Sequence, residues 1–382
     1  MEMIQIMLVG GRQTPNVIGV MRFRPSKVVL IVSKDEIEKK NVLLDSLKNI
    51  KSLDIPDEDD IIEVDAYDFQ ANLSVIRGIC GKYHNEIIQF NLTGSTKIMA
   101  LAAYQIAQEK GIASFYVAGN RILWLTGGGH KVAEPIDMMI ESYLKIFGRE
   151  ASHKFKFINL SFDEQRAAKA AKLLAESTPI SANMLAKIRS TKQIKGSVGL
   201  QASLYDFTED EKDLIKVLSD LNTLDINDDL IRIRSNNDLE FFKGNWLEAF
   251  VYNEAFNNKD INGDPVFDNC DISLEIKLDQ AEKEIDVACI YEAQIIHCSC
   301  KTDKDPFKTQ YLDELRSISS LIGGRFCSRV FVTNAVFSDQ TKQKQFLDQA
   351  KQREIVVVTG NELANIGKIL AKQAIKPDFW RV

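Results

Sequence analysis

The stretch "IIHCSCKTD" (295–303) brings a histidine, two cysteines and a lysine close together. Read as a strand, it sends alternate side chains to opposite faces. Cys298 and Cys300 then share a face with Ile296, and His297, Ser299 and Lys301 share the other. The cysteines stand where apolar residues are expected, so they read as core thiols. A zinc site needs further ligands at suitable spacing, and no CxxC or HxxxH supplies them. On the polar face, a lysine among apolar neighbours is costly unless an anion meets it. The preceding segment "EIDVAC" offers Asp286, opposite in facing to Ile285 and Val287, and the helical segment "NWLEAFVY" offers Glu248. The three charges converge if the hairpin packs on that helix. Two carboxylates would then hold a hard divalent cation through oxygen. The cation would polarise a phosphate and lower the pKa of a bound water, with the lysine neutralising developing charge. Spacing alone leaves a second reading open, a buried ion pair with no chemistry.

Two further segments could contact a ligand. "GGRQTPN" (10–16) follows the first strand, and "NLTGSTK" (91–97) follows a later strand and opens a helix. Helix N-termini present free N–H groups to phosphates, and open α/β sheets bind ligands outside strand C-termini. Gln13, Thr14 and Asn16 of the first loop are candidate contacts, with Thr93, Gly94, Ser95, Thr96 and Lys97 of the second. Gly94 permits close backbone approach, Ser95 and Thr96 add hydroxyls, and Lys97 adds charge. Neither loop is GxxxxGK[ST] or GxGxxG, so ATP or NAD is not indicated. Ordinary strand-to-helix turns, with "TGST" as an N-cap, are the competing reading.

The elements that must position these residues fall into three regions. Residues 1–148 alternate apolar strands ("MIQIMLVGG", "KVVLIVS", "DIIEVDAYD", "NEIIQFNLTG") with helical patterns, and "FYVAGNRILWLTGGGH" predicts an edge hairpin turned on Gly-Asn. In "STKIMALAAYQIAQEKG", Ile98, Leu101, Ala102 and Ile106 fall at helical spacing, with Gly111 as a stop. Strand–helix alternation implies a parallel sheet with right-handed crossovers, a Rossmann-like domain. Residues 149–235 read as a small helical connector, winged-helix-like, with capping boxes at Ser161–Glu164 and Thr208–Glu211 and a hairpin turned on Asn236–Asn237. It serves as a spacer or reads DNA. Residues 236–382 predict a helix, three strands, and then alternating helices and strands, a second α/β domain.

Composition suits this α/β plan. The chain has 382 residues, 45% of them hydrophobic, which matches two or three domains each with its own core. The net charge of -6 argues against a constitutive duplex-DNA coat protein but leaves room for a local nucleic-acid groove. Five of the six cysteines lie in the last third and read as free buried thiols. "MIQIMLV" is too short for a signal peptide, and no apolar run approaches a membrane span. A cytoplasmic location with no membrane partner is the expectation.

"GNWLE", "EIDVA" and a strand ending "CKT" together resemble the Glu…Asp…(Asp/Glu)-x-Lys core of the restriction-endonuclease-like superfamily. Joined to a Rossmann-like half containing "GRQTPN" and "FNLTGSTKIMA", the whole chain resembles the CRISPR-associated Rossmann fold (CARF) nucleases. The resemblance implies a homodimer activated by cyclic tetra-adenylate, held by both loops across the two-fold axis. It further implies cleavage of DNA or RNA with Mn2+ or Mg2+, in type III CRISPR defence. Carried over residue by residue, Glu248 and Asp286 are the metal ligands, and Glu248, Asp286, Ser299 and Lys301 form the catalytic set. One position departs from the pattern. Where the family expects Glu-x-Lys, this chain has Ser299-Cys300-Lys301. The metal then rests on Glu248, Asp286, a backbone carbonyl and waters, or on Glu292 if the hairpin turn bends inward. The departure keeps a non-catalytic cyclic-nucleotide sensor or DNA-binding regulator in view.

Overall fold

Strands that are apolar on both faces need cover on both sides, and the N-terminal strands meet this with helices between them. In a computed structural model of the chain, the described residues are 2–11, 13–48, 53–54, 56–119, 121–127, 134–153, 159–191, 199–278 and 281–379. They divide into two compact units. One comprises Met1–Glu150 with Glu292–Gln294, and the other Ala151–Tyr291 with Ile295–Arg381.

The first unit runs β1 (Met3–Val9), α1 (Thr14–Phe23), β2 (Lys27–Ser33), α2 (Ile37–Leu47), β3 (Ile61–Val64), α3 (Phe69–Lys82), β4 (Ile87–Asn91), α4 (Lys97–Lys110), β5 (Ala113–Ala118), β6 (Arg121–Thr126) and α5 (Ile140–Ile146). The sheet order is β3-β2-β1-β4-β5-β6. Neighbours are parallel except β6, which returns antiparallel along β5 as the expected edge hairpin. Gly119 is left-handed at its turn, while Asn120 lies outside the described residues. The order reverses between β1 and β4, so the loops after these strands flank the switch point where such sheets bind ligands. Gly111 ends α4 with a left-handed φ of 65°, as expected. The buried face of α4 is Met99, Ala102, Ala103 and Ile106, and Leu101 is exposed. Helical spacing fits either stripe, and of the four residues it singled out Ala102 and Ile106 are buried.

The second unit opens with β7 (Ala151–His153), α6 (Glu164–Glu176), α7 (Ile180–Ser190), β8 (Leu200–Ser203), α8 (Glu209–Asp220), β9 (Asp225–Asn227), β10 (Leu230–Ile233) and α9 (Asn236–Glu240). Helices α6 to α8 beside the three-stranded antiparallel sheet β8-β10-β9 give a winged-helix-like arrangement. The hairpin is not turned on Asn236–Asn237. β9 and β10 pair Asn227 with Leu230, and the turn is Asp228–Asp229, with Asp228 at φ 52°. Asn236 instead begins α9, because the Ser235 hydroxyl accepts the Asp238 N–H and caps a helix. The Thr208–Glu211 capping box is present. The box at Ser161–Glu164 is not: Asp163 caps α6, and Ser161 is drawn off by Asp238, to which its N–H and hydroxyl donate at 2.8 and 2.6 Å.

The unit continues with α10 (Trp246–Phe256), β11 (Asn269–Leu278), β12 (Ala281–Tyr291), β13 (Gln294–Lys301), α11 (Thr309–Ile322), β14 (Cys327–Thr333), α12 (Gln340–Gln352), β15 (Ile355–Val358) and α13 (Ile366–Ile375). Its sheet order is β15-β14-β13-β12-β11-β7. β7 therefore supplies an edge strand by pairing with β11, a role a short polar segment gives no sign of. Helix α10 buries Trp246, Leu247, Phe250 and Val251, and these share one core with Ile272, Val287, Cys289, Cys298 and Cys300. The cysteines are core thiols, as expected.

Candidate active site and sensor crevice

Asp286 sits mid-strand on β12. A two-residue turn at Glu292–Ala293, both left-handed, folds β13 back along β12. This brings Ser299, Cys300 and Lys301 to the Asp286 carboxylate. Its Oδ2 accepts the Cys300 N–H at 2.6 Å, lies 3.3 Å from Lys301 Nζ and takes a longer contact from Ser299 Oγ at 3.4 Å. On β11 the register places Ser273 across from Asp286, and Ser273 Oγ donates to Glu248 Oε2 of α10 at 2.7 Å.

The electrostatics are those of two acids sharing a buried place. Burial, then the charge of Asp286, pushes the Glu248 carboxyl up to about 8, and Glu284 adds to the push. Burial also raises Asp286, against the pull of Lys301 and the Cys300 N–H. For Lys301, burial works to lower the pKa but Asp286 outweighs it, so the ammonium is held protonated. Its Nζ also lies 5.6 Å from the centre of the Tyr311 ring. Helix glutamate, strand aspartate and strand lysine are thus brought together as the sequence suggested. Glu248 and Asp286 are hard oxygen donors suited to a divalent cation. Among the described residues, no group of three or more His, Cys, Asp or Glu side chains is gathered tightly enough to hold a metal ion.

Several expectations change. Glu292 is no candidate ligand: it stands at the hairpin tip, six residues or roughly 20 Å along the strand from Asp286, and pairs with Arg22 at 2.9 Å. His297 does not join the polar cluster. It is buried against the Ser319 hydroxyl at 2.9 Å, and burial, then Lys301 and Arg329, lowers it to about 3, so it stays neutral. Glu284 and Ser273 were missed. Glu284 is two residues from Asp286, a same-face spacing legible in "EIDVA", whereas nothing in the sequence marks Ser273.

In the first unit the two loops touch at the switch point. A Cβ on Gly10 would lie 1.9 Å from the Gly94 carbonyl oxygen, and one on Gly94 would lie 2.3 Å from that of Leu8. Both glycines are there for close approach. Gln13 folds back, Nε2 to the Gly10 carbonyl at 2.6 Å. Asn16 Nδ2 donates to the Leu8 carbonyl at 3.1 Å, while its buried Oδ1 has no hydrogen-bond partner among the described residues. Gln13, Thr14 and Asn16 are buried rather than on an exposed loop, because α1 starts at Thr14 and is covered from its first turn. On the second loop, Thr96 caps α4 through the Met99 N–H and donates to the Ala66 carbonyl at 2.8 Å. The Ser95 hydroxyl turns to the Thr96 carbonyl at 3.1 Å, and Lys97 is exposed on the first turn. Asn91, not singled out from the sequence, ties the loops together. Its Nδ2 donates to the Pro15 carbonyl at 2.9 Å, and its Oδ1 accepts from Thr93 N and Oγ1 at 3.1 and 2.8 Å.

With both sites described, comparison with known proteins is informative. Residues 4–132 match the family model "Card1 CARF domain", and residues 235–376 match "Card1-like, endonuclease domain". A comparison with curated proteins finds no match. Among solved structures, protein VC1899 from Vibrio cholerae superposes with a TM-score of 0.80 at 18% identity, covering 97% of this chain and 98% of that one. Can2 from Sulfobacillus thermosulfidooxidans, solved in complex with cyclic tetra-adenylate, gives 0.72 at 20% identity with the same coverage. A type III CRISPR defence DNA nuclease activated by cyclic oligoadenylate gives 0.53 at 15% identity, over 87% of this chain and 45% of that one. At these identities the structures speak for the fold, and the two family models name its halves. The chain thus joins a Card1 CARF domain to a Card1-like endonuclease domain and belongs with the proteins built on that pair.

Proposed function

We propose that this protein is a metal-dependent nuclease activated by cyclic tetra-adenylate, cleaving DNA or RNA phosphodiesters in type III CRISPR defence. The observation that carries the reading is the meeting of Glu248, Asp286 and Lys301 at one place in an endonuclease-like domain. Burial raises both carboxyls, and the charge of Asp286 raises Glu248 further, so ionising the two acids side by side calls for a cation in addition to Lys301. Mn2+ or Mg2+ fits such a place: the donors are oxygens, and ions of this kind keep several waters and need only one or two carboxylates. When bound, the cation polarises the scissile phosphate and supplies a water of lowered pKa. Glu248 releases its proton to bind, Asp286 is steadied by the Cys300 N–H, and the protonated Lys301 offsets charge developing on the phosphate oxygens.

Cyclic tetra-adenylate suits the crevice between the β1 and β4 loops, and Can2, which shares this fold, was solved in complex with that ligand. An even-membered ring has two-fold symmetry, which a homodimer of CARF domains would match. Lys97 begins α4, where a cation beside helix N–H groups meets a phosphate. Lys97→Ala should weaken activator binding by about 1.5–3 kcal/mol without changing the melting temperature. Calorimetry with cyclic tetra-adenylate checks this, and unchanged affinity would put the ligand elsewhere.

Ser299 favours a second reading, a sensor or DNA-binding regulator whose nuclease fold is idle. Ser299→Glu separates the two. Ser299 is 8% exposed and contacts Asp286, so a carboxylate there adds an anion beside two acids. Its thermal stability should fall in chelator and recover with Mn2+, and half-maximal cleavage should need less metal than the parent. If Mn2+ leaves both stability and cleavage of the variant at parental values, these residues do not form one metal site and the regulator reading is the better one.

A further inference from the structure

Ser273 stands in the middle of β11, with ladder pairs on either side, Ile272 to Val287 and Leu274 to Ile285. Yet its φ is +50°, and it is 1% exposed. Left-handed backbone suits glycine, or asparagine at a turn. It is uncommon for a buried serine between extended neighbours. Such strain persists only where the surroundings over-determine it, and it concentrates at functional sites.

The hydrogen bond shows what the conformation achieves. Ile272 packs in the same core as Leu247 and Phe250 of α10. Strict alternation would carry the next side chain to the opposite face. The left-handed backbone breaks the alternation, and the Ser273 hydroxyl meets Glu248 of that helix at 2.7 Å. Asp286 has a backbone N–H, an ammonium and a hydroxyl to orient it. For Glu248, a side chain with three rotatable bonds, the Ser273 hydroxyl is the hydrogen-bond donor seen among the described residues. We infer that Ser273 is a positioning residue, whose strained backbone holds its hydroxyl where it fixes the Glu248 carboxylate for cation binding beside Asp286. The inference rests on the metal-dependent reading proposed above. Ser273 acts through Glu248, as partners of metal ligands commonly do.

Three variants separate the hydroxyl from the backbone. Mn2+ binding to the full chain is measured by calorimetry without nucleic acid, and melting temperature is measured in chelator. Ser273→Gly relieves the strain and loses the hydroxyl, so it should melt at or above the parental temperature yet bind Mn2+ about 10-fold more weakly or worse. Ser273→Ala should lose as much affinity and melt no higher than the glycine variant. Ser273→Thr keeps the hydroxyl on a backbone that suits a β-branched residue poorly, so it should melt lower but bind Mn2+ nearly as the parent does. Parental affinity in Ser273→Gly, or a threonine variant as weak as alanine, would overturn the inference. Asp286→Asn serves as the control. Loss of Mn2+ in that variant with parental binding in Ser273→Gly defeats the positioning role alone. No Mn2+ binding by the parent defeats the metal-dependent reading and the inference with it.

Discussion

Asp286→Asn should abolish cleavage, by at least about 10³-fold or roughly 4 kcal/mol of barrier, while leaving cyclic tetra-adenylate affinity at the parental value. Asparagine has nearly the volume of aspartate, and its carbonyl still accepts the Cys300 N–H that bonds Asp286 at 2.6 Å. What it loses is the charge that would bind a cation and that pairs with Lys301 at 3.3 Å. The CARF loops belong to the other structural unit, so their ligand should be bound as before. Cleavage rates and calorimetry on the same preparation check both halves of the expectation. Parental cleavage by the asparagine variant would remove Asp286 from the site.

The second large effect concerns pH. Glu248 is raised from the usual carboxylate value to about 8 by burial and then by Asp286. Without metal, the folded chain therefore keeps a proton that the unfolded chain releases at about pH 4.5. Where the native state binds more protons than the unfolded state, stability falls as pH rises. The Glu248 contribution is present below about pH 4.5 and is lost as pH rises toward about 8. Asp286, also raised, acts in the same direction. In chelator the parent should therefore lose melting temperature between pH 5 and pH 9, and Glu248→Gln should flatten much of that slope and melt above the parent at the alkaline end. Gln keeps an acceptor for the Ser273 hydroxyl, so the hydrogen bond at 2.7 Å is not the variable. Melting curves in chelator across this range decide it, and parallel slopes for the two proteins would show that Glu248 does not titrate there. Mn2+ should also bind more tightly as pH rises toward 8, because the proton and the cation compete for one carboxylate.

Much of this was legible in the chain because it follows from periodicity. Strand alternation alone placed Asp286 opposite its apolar neighbours and set Ser299 and Lys301 on a shared face, and the structure joins them. The same rule read Cys298 and Cys300 as core, and both are buried in the core that α10 also joins. What escaped notice depends on backbone states and long-range partners. Ser273 looks like any strand serine, because a left-handed φ between extended residues leaves no mark on composition. Asn236–Asn237 looks like a turn, but Ser235 caps a helix there and the turn falls on Asp228–Asp229. Ser161 makes a plausible capping box with Glu164 until Asp238, far along the chain, claims it. Thr14 follows a strand C-terminus, where a loop is expected, yet it is buried because α1 begins there and Pro15 starts a helix as well as it shapes a turn. Asn91 escaped for a related reason: its bond to the Pro15 carbonyl exists only once β1 and β4 lie side by side.

The most direct test of the central claim is cleavage by the full chain, measured on single-stranded DNA, plasmid DNA and RNA with and without cyclic tetra-adenylate, in Mn2+ and in chelator. Cleavage of at least one substrate that requires both the activator and Mn2+ is the predicted result. Cleavage of none of them, with calorimetry showing cyclic tetra-adenylate bound, or cleavage that continues undiminished in chelator, would contradict it.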